Sequence, residues 1–237
     1  MGRSAFENLR SIWNAEDRLI EWAVELLHRE PYLIEHIELI ECFMNAVDSA
    51  RQALPKNDRN TALCGLFLRA FDAASHGLRA AMSGNYAGSA MYARDLLETS
   101  FLLNYLLDDE ARPVEWLNAD QRTLSKKYTP IEIRKKLDER DGFKKLRRHE
   151  HYSNLSKLGV HPTPQSFAMK RDGTRMLNGG PFKHEDLLKG CVEEIAKGIL
   201  LLSAALVDYL GEFSDGPIFS SRLALLLQRA KEKYSQS

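Results

Sequence analysis

The stretch YAGSAMYARDLLETSFLLNYLL, residues 86–107, decides the fold because its composition is typical of a helix buried on most sides. Its first half is rich in alanine, glycine and serine, and such small residues allow neighbouring helices to approach closely. Its second half carries large apolar residues all round the helix, a pattern that belongs to a buried helix. The stretch therefore predicts a central helix around which the remaining chain packs.

Helical periodicity continues on both sides of this stretch, with apolar residues recurring every three to four positions. The chain has 237 residues, of which 44% are apolar, which is enough to bury a sizeable core. The sequence predicts an all-α fold, a single-domain helical bundle of about seven to nine helices. Its expected parts are an N-terminal helical hairpin (1–56), a core bundle (60–211) and a C-terminal helix (214–237).

Two local signals refine this prediction. Asp172-Gly173 stands between two short runs, which predicts a small β-hairpin insertion near residues 165–178. TPIE, residues 129–132, is a capping box in which the threonine caps a helix and the glutamate reaches back to its start. We expect that helix to be basic, solvated and to end at about Arg140.

Composition limits the classes of function. Basic and acidic residues both number 33, and zero net charge argues against strong nonspecific binding to nucleic acid. The three cysteines lie far apart in apolar segments, which indicates reduced thiols. The N-terminal residues lack the apolar run of an export signal, and the most apolar segment, residues 195–210, is too short to span a bilayer. We expect a cytoplasmic protein without membrane association.

Arg94 and Glu98 lie four residues apart and therefore share one face of the central helix. One interpretation is an ion pair on a solvated stripe, which contributes a few tenths of a kcal/mol. The other is a buried pair that needs further polar partners, because an uncompensated buried charge costs several kcal/mol. The candidate partners are Tyr92, Asn104, Tyr105 and the histidine turn described next.

The stretch HYSNLSKLGVHPTP, residues 151–164, places a histidine before a proline at the end of a basic helix. If the helix ends at the glycine, Tyr152, Ser156 and His161 point into one pocket. Three interpretations of His161 stay open: a structural histidine that ties the turn to the helix, a contact to a ligand or phosphate, and a general acid or base.

Motifs for metals and nucleotides are missing from the sequence. One Glu-x-x-His occurs, at Glu25 and His28, but a carboxylate-bridged di-metal bundle needs this motif twice. No Cys-x-x-Cys pair, phosphate-binding glycine loop or serine-hydrolase elbow is present. We therefore expect no metal and no cofactor.

Residues 122–148 carry a local excess of basic side chains, many of them in adjacent pairs. Such runs on helices are commonly solvated faces, but the stretch is also the candidate for following a nucleic-acid backbone. The predicted contacts are Lys144, Lys145, Arg147 and Arg148.

The combination of ARDLLETSFLLNYLL with the later HYSNLSKLGVHPTPQS resembles a group of bacterial all-α proteins of uncharacterised function. Its members pair an Arg-x-x-x-Glu helix with a Tyr-x-x-Leu-Ser-x-x-x-x-His-Pro turn, and the resemblance covers roughly residues 60–210. That group in turn resembles the HEPN superfamily of helical domains from toxins and phage-defence systems. Many members of that superfamily are metal-independent ribonucleases that carry an Arg-x(4–6)-His motif and act as dimers, and the resemblance implies the same activity and assembly here. Asn154 stands where the motif has arginine, so Arg94 would have to supply the charge that stabilises the phosphate.

Two hypotheses follow. The first is a binding or interaction module for a protein partner or small ligand, fixed by a buried Arg94–Glu98–His161 polar network. The second is a HEPN-like endoribonuclease or RNA-binding protein, in which His161, Arg94 and Glu98 are the catalytic candidates and a homodimer is expected. In both, the ligand-binding candidates are Tyr152, Asn154, Ser156 and Tyr105.

Overall fold

The computed structural model describes residues 6–143, 147–174 and 176–235, with the backbone alone for residue 147 and for residues 231–235. These residues form ten α-helices and two short helices of other types, so the predicted all-α fold is confirmed. The α-helices are α1 (Glu7–Arg29), α2 (Pro31–Ala53), α3 (Asp58–Met82), α4 (Tyr86–Leu107), α5 (Arg112–Leu117), α6 (Gln121–Lys127), α7 (Pro130–Arg140), α8 (Arg147–Leu155), α9 (Glu185–Leu210) and α10 (Gly216–Ser235). Between α8 and α9 lie a π-helix (Ser156–Val160) and a 3₁₀-helix (Pro164–Lys170).

Helix α4 lies at the centre of the bundle, as its composition predicts. It packs most extensively against α3 and α9, and Leu96, Leu103 and Leu106 are fully buried. The close approach of α9 depends on Gly198, because a Cβ atom there would lie 2.9 Å from Cβ of Leu96. Small residues thus set the helix spacing at the centre of the fold.

Two apolar clusters make up the core, and helices α2, α3, α4 and α9 contribute to both. Helix α2 packs more extensively against α9 than against α1. Burial of apolar side chains is the main favourable term in folding, so these shared helices tie the clusters together. The largest fully buried side chains include Tyr86, Tyr209, Phe43, Phe67, Leu33, Ile40, Leu63 and Leu96.

The helix count in the described residues is slightly higher than predicted. The sequence indicates one short helix around residues 116–127, whereas the structure has α5 and α6 there. Asp120 separates them, because its side chain accepts a hydrogen bond from the backbone N–H of Thr123 at 2.7 Å and so caps a new helix.

Half of the predicted capping box at the start of α7 is present. The Thr129 hydroxyl accepts from the backbone N–H of Glu132 at 3.3 Å, as a capping threonine does. The Glu132 carboxylate does not reach back; it accepts instead from Nζ of Lys135 at 3.0 Å. The helix start is therefore predicted correctly and the reciprocal bond is not.

The predicted β-hairpin near residues 165–178 is wrong. The first part of the segment is the 3₁₀-helix, and the described residues after it form one isolated antiparallel bridge between Arg171 and Leu177, without a strand. Asp172 accepts hydrogen bonds from the backbone N–H and the hydroxyl of Thr174, at 3.1 and 2.6 Å. The first of these bonds occupies a backbone donor that a hairpin ladder would use.

Candidate functional site

Arg94 and Glu98 form an ion pair on α4 that is largely withdrawn from solvent. Nη2 of Arg94 lies 3.1 Å from Oε1 of Glu98, and each side chain is 22% exposed. A pair this enclosed needs further hydrogen bonds to offset the cost of desolvation. The structure thus favours the interpretation in which other polar groups join the pair.

Tyr152 of α8 and Ser156 of the π-helix provide those partners. Nε of Arg94 donates to the Ser156 hydroxyl at 3.0 Å, and Nη2 of Arg94 donates to the Tyr152 hydroxyl. The Tyr152 hydroxyl donates to Oε1 of Glu98 at 3.0 Å, and the Ser156 hydroxyl donates to the Tyr152 carbonyl at 2.8 Å. Each hydroxyl thus accepts a hydrogen bond from the Arg94 guanidinium and donates its own hydrogen to a second oxygen atom. We call these four side chains the α4–α8 network.

The π-helix brings the network together by lying directly on α4. A Cβ atom at Gly159 would be 2.8 Å from the backbone nitrogen of Met91 and 2.9 Å from the carbonyl oxygen of Ala87, so this position accepts no side chain. The backbone N–H of His161 donates to the carbonyl of Ser156 at 2.9 Å, which closes the wide turn. Single π-turns of this kind occur frequently at functional sites.

Three of the predicted site residues do not join the network. His161 is exposed, and its imidazole makes no hydrogen bond with the described residues, so the expected inward orientation is corrected. Asn154 is also exposed. Tyr105 belongs to a separate cluster, in which Nζ of Lys136 donates to its hydroxyl at 3.1 Å and the Arg112 guanidinium lies 4.4 Å from its ring centre.

Helix α7 is not solvated on all sides, contrary to the prediction. Arg134 and Asp138 are 4% and 3% exposed, and the Arg134 guanidinium lies 3.9 Å from the centre of the Tyr152 ring. Oδ1 of Asp138 accepts from Nη1 of Arg148 at 2.5 Å. Nη1 of Arg134 and Oδ2 of Asp138 have no partner among the described residues. The sequence signal for this pair was its spacing of four residues, which places both side chains on one face of the helix, as it does for Arg94 and Glu98.

The described arginine side chains near the start of α8, Arg140 and Arg148, form ion pairs with aspartates of the same chain. Arg148 binds both Asp138 and Asp141, and Arg140 binds Asp108 and Asp141. Hydrogen bonds from Arg140 and Arg148 lower the pKa of Asp141 to about 2, so its carboxylate stays charged at neutral pH. The remaining predicted nucleic-acid contacts lie outside the described residues: Lys144, Lys145 and the side chain of Arg147.

A cleft of about 520 Å³ lies beside the network, between α3, α4, α5 and α7. Glu98 belongs to both, because its Oε1 is bonded within the network while the residue also lines the cleft. Gly65 of α3 leaves the wall open, since a Cβ atom there would meet nothing within 4 Å. The apolar lining of the cleft includes Leu66, Leu102, Trp116, Tyr128 and Ile133.

The described residues contain no group of three or more histidine, cysteine, aspartate or glutamate side chains that could hold a metal ion. Likewise, no helix in the described chain is long and apolar enough to cross a membrane. The side chains that meet at the network and the cleft supply carboxylates, hydroxyls, guanidinium groups and aromatic rings.

Comparisons with protein-family models, with curated protein sequences and with solved structures found no match to this chain. The resemblance to the HEPN superfamily therefore stays a prediction.

Proposed function

We propose that the protein is a binding module that takes a small organic ligand in the cleft between α3, α4, α5 and α7. The cleft volume of about 520 Å³ lies within the range that is typical of ligand pockets, which are mostly apolar with a few positioned polar groups. The observation that carries the proposal is the position of Glu98, which lines the cleft while its Oε1 atom is fixed by Arg94 and Tyr152. A carboxylate held in one orientation is suited to recognition.

Gly65 offers the means to test this function. A leucine at this position would extend into the open space of the cleft, whereas a leucine at Gly190 of α9, which also has open space around it, lies outside the cleft. We expect fragments from a diverse small-molecule set to bind wild type and Gly190→Leu, as measured by ligand-observed NMR, and to lose binding to Gly65→Leu. If no fragment distinguishes the two variants, the cleft is not the binding site and the proposal fails.

A ribonuclease is the second candidate, and the exposure of His161 is the observation that favours it. An accessible imidazole is able to act as a general acid or base on an RNA substrate. Arg148 argues against it, because its guanidinium is bonded to two aspartates and not presented to a phosphate. Cleavage of a mixed RNA pool by wild type and His149→Ala, with none by His161→Ala, would establish the ribonuclease and displace the binding module.

A further inference from the structure

We infer that the ligand of the cleft is an organic amine, with an aromatic or apolar body and a cationic nitrogen. The inference rests on the proposed binding function of the cleft and adds the chemical class of its ligand. It follows from three properties of the lining: oxygen atoms with remaining capacity to accept hydrogen bonds, aromatic rings without a cation over them, and a single cationic side chain that is already paired.

The first property is a pair of carboxylates on α4. Glu98 uses Oε1 to accept from Arg94 and Tyr152, and its Oε2 accepts no hydrogen bond from the described residues. Asp95 uses Oδ1 to accept from Arg69, and its Oδ2 likewise has no donor in the described chain. Both residues line the cleft, and their side chains are 22% and 24% exposed. Spaced three apart on one helix, they lie on the same face.

The second property concerns Trp116 and Tyr128, which line the cleft from α5 and from the residue before the α7 cap. Elsewhere in the fold, the rings of Tyr105 and Tyr152 each have a guanidinium within 5 Å. No cationic group of the described residues lies over the ring of Trp116 or Tyr128. Rings of this kind attract a ligand cation, tryptophan most strongly.

The third property is the lack of a competing positive charge inside the cleft. Of the described residues that line it, Arg69 is the one cation, and its guanidinium is paired with Asp95. Its side chain is 61% exposed, which places it at the rim. A ligand carboxylate or phosphate would therefore lie near the oxygens of two carboxylates, with no unpaired cation in the described lining to offset the repulsion, and such like-charge contacts cost binding energy. An ammonium group satisfies the same oxygens.

Three matched probes test the ligand class: naphthylethylamine, naphthylethanol and naphthylacetate. They share one aromatic body and differ in carrying a positive charge, no charge or a negative charge. Isothermal titration calorimetry of the 237-residue chain is expected to show the amine binding about tenfold more tightly than the alcohol, and the carboxylate more weakly than both. Asp95→Asn and Glu98→Gln should each reduce the advantage of the amine by about threefold or more, with little effect on the alcohol. Asp72→Asn, which changes an exposed carboxylate of α3 outside the cleft, is the control.

The outcomes separate the ligand class from the cleft itself. If the alcohol or the carboxylate binds as tightly as the amine, the inferred class is overturned and the cleft remains a binding site. The same conclusion holds if no probe binds while the fragment experiment with Gly65→Leu finds cleft ligands. If no fragment distinguishes Gly65→Leu from Gly190→Leu either, both the inferred ligand class and the proposed binding function are refuted.

Discussion

At the scale of residues, the α4–α8 network depends on which group donates the hydrogen in each of its hydrogen bonds. The Tyr152 and Ser156 hydroxyls both accept from Arg94, so each has its own hydrogen to donate, one to Glu98 and one to a backbone carbonyl. Removal of the guanidinium leaves a carboxylate and two hydroxyls without their strongest donor. The cost of such unsatisfied groups exceeds the net gain from forming the bonds.

We therefore predict that Arg94→Ala lowers the free energy of unfolding by about 1–3 kcal/mol. Arg69→Ala is the matched control, because it removes an arginine from an ion pair whose arginine side chain is 61% exposed, and should cost no more than about 0.5 kcal/mol. Urea unfolding followed by circular dichroism measures both values. Equal losses in the two variants would mean that the enclosed network contributes no more than a surface pair.

The relation between Ser156 and His161 was predicted only in part from the sequence. Their separation of five residues is too long for one helical face, so the sequence predicts a shared pocket only if Gly159 ends the helix and the chain turns back. The structure makes the turn as a π-helix, in which a residue bonds to the carbonyl five positions earlier, so the backbone N–H of His161, and not its imidazole, faces Ser156. The two residues are therefore in contact through their backbones and not through the His161 side chain.

At the scale of elements, the contact between the π-helix and α4 depends on Gly159. We predict that Gly159→Ala destabilises the protein by about 1–3 kcal/mol, because the added methyl group would press on the backbone of α4. Gly65→Ala should have the opposite sign and stabilise by about 0.5–1 kcal/mol, since Gly65 lies inside α3 with open space around it. Thermal unfolding of both variants checks the pair, and stabilisation by Gly159→Ala would refute the close approach.

A second contact joins α8 to α9 through His151 and Glu194, whose Nε2 and Oε2 atoms lie 3.1 Å apart. Glu194 raises the pKa of His151 above its ordinary value of 6.5. Burial tends to raise the pKa of Glu194, but His151 and Lys197 outweigh it and the pKa is lowered. The histidine contribution to stability is fully present below 6.5 and is lost as pH rises through the raised pKa, while the glutamate contribution is lost as pH falls below 4.5.

We therefore predict that the melting temperature of wild type declines from about pH 6 to about pH 8 by more than that of His151→Gln. His149→Gln is the control, because His149 is an exposed neighbour on the same helix, and it should retain the wild-type decline. Parallel curves for all three proteins would show that the His151–Glu194 contact does not contribute to stability over this range.

At the scale of the whole molecule, what could be predicted was local to one or two helices. Periodicity and composition indicate the all-α fold and the central position of α4, and a spacing of four residues indicates the Arg94–Glu98 pair. The cleft was not predicted, because α3, α5 and α7 meet there across long separations and no periodicity encodes where packed helices leave a gap. The buried face of α7 was missed for a related reason, since Arg134 and Asp138 look solvated by residue type alone.

The central claim is that the α4–α8 network holds Glu98 for recognition of a ligand in the cleft, and the binding of naphthylethylamine to Tyr152→Phe tests it most directly. The substitution removes the hydroxyl that donates to Glu98 and leaves the ring in place. Tyr105→Phe, the same change on α4 outside the network, is the control. By isothermal titration we predict affinity about threefold to tenfold weaker for Tyr152→Phe and unchanged for Tyr105→Phe. Equal affinity of wild type and both variants would contradict the claim.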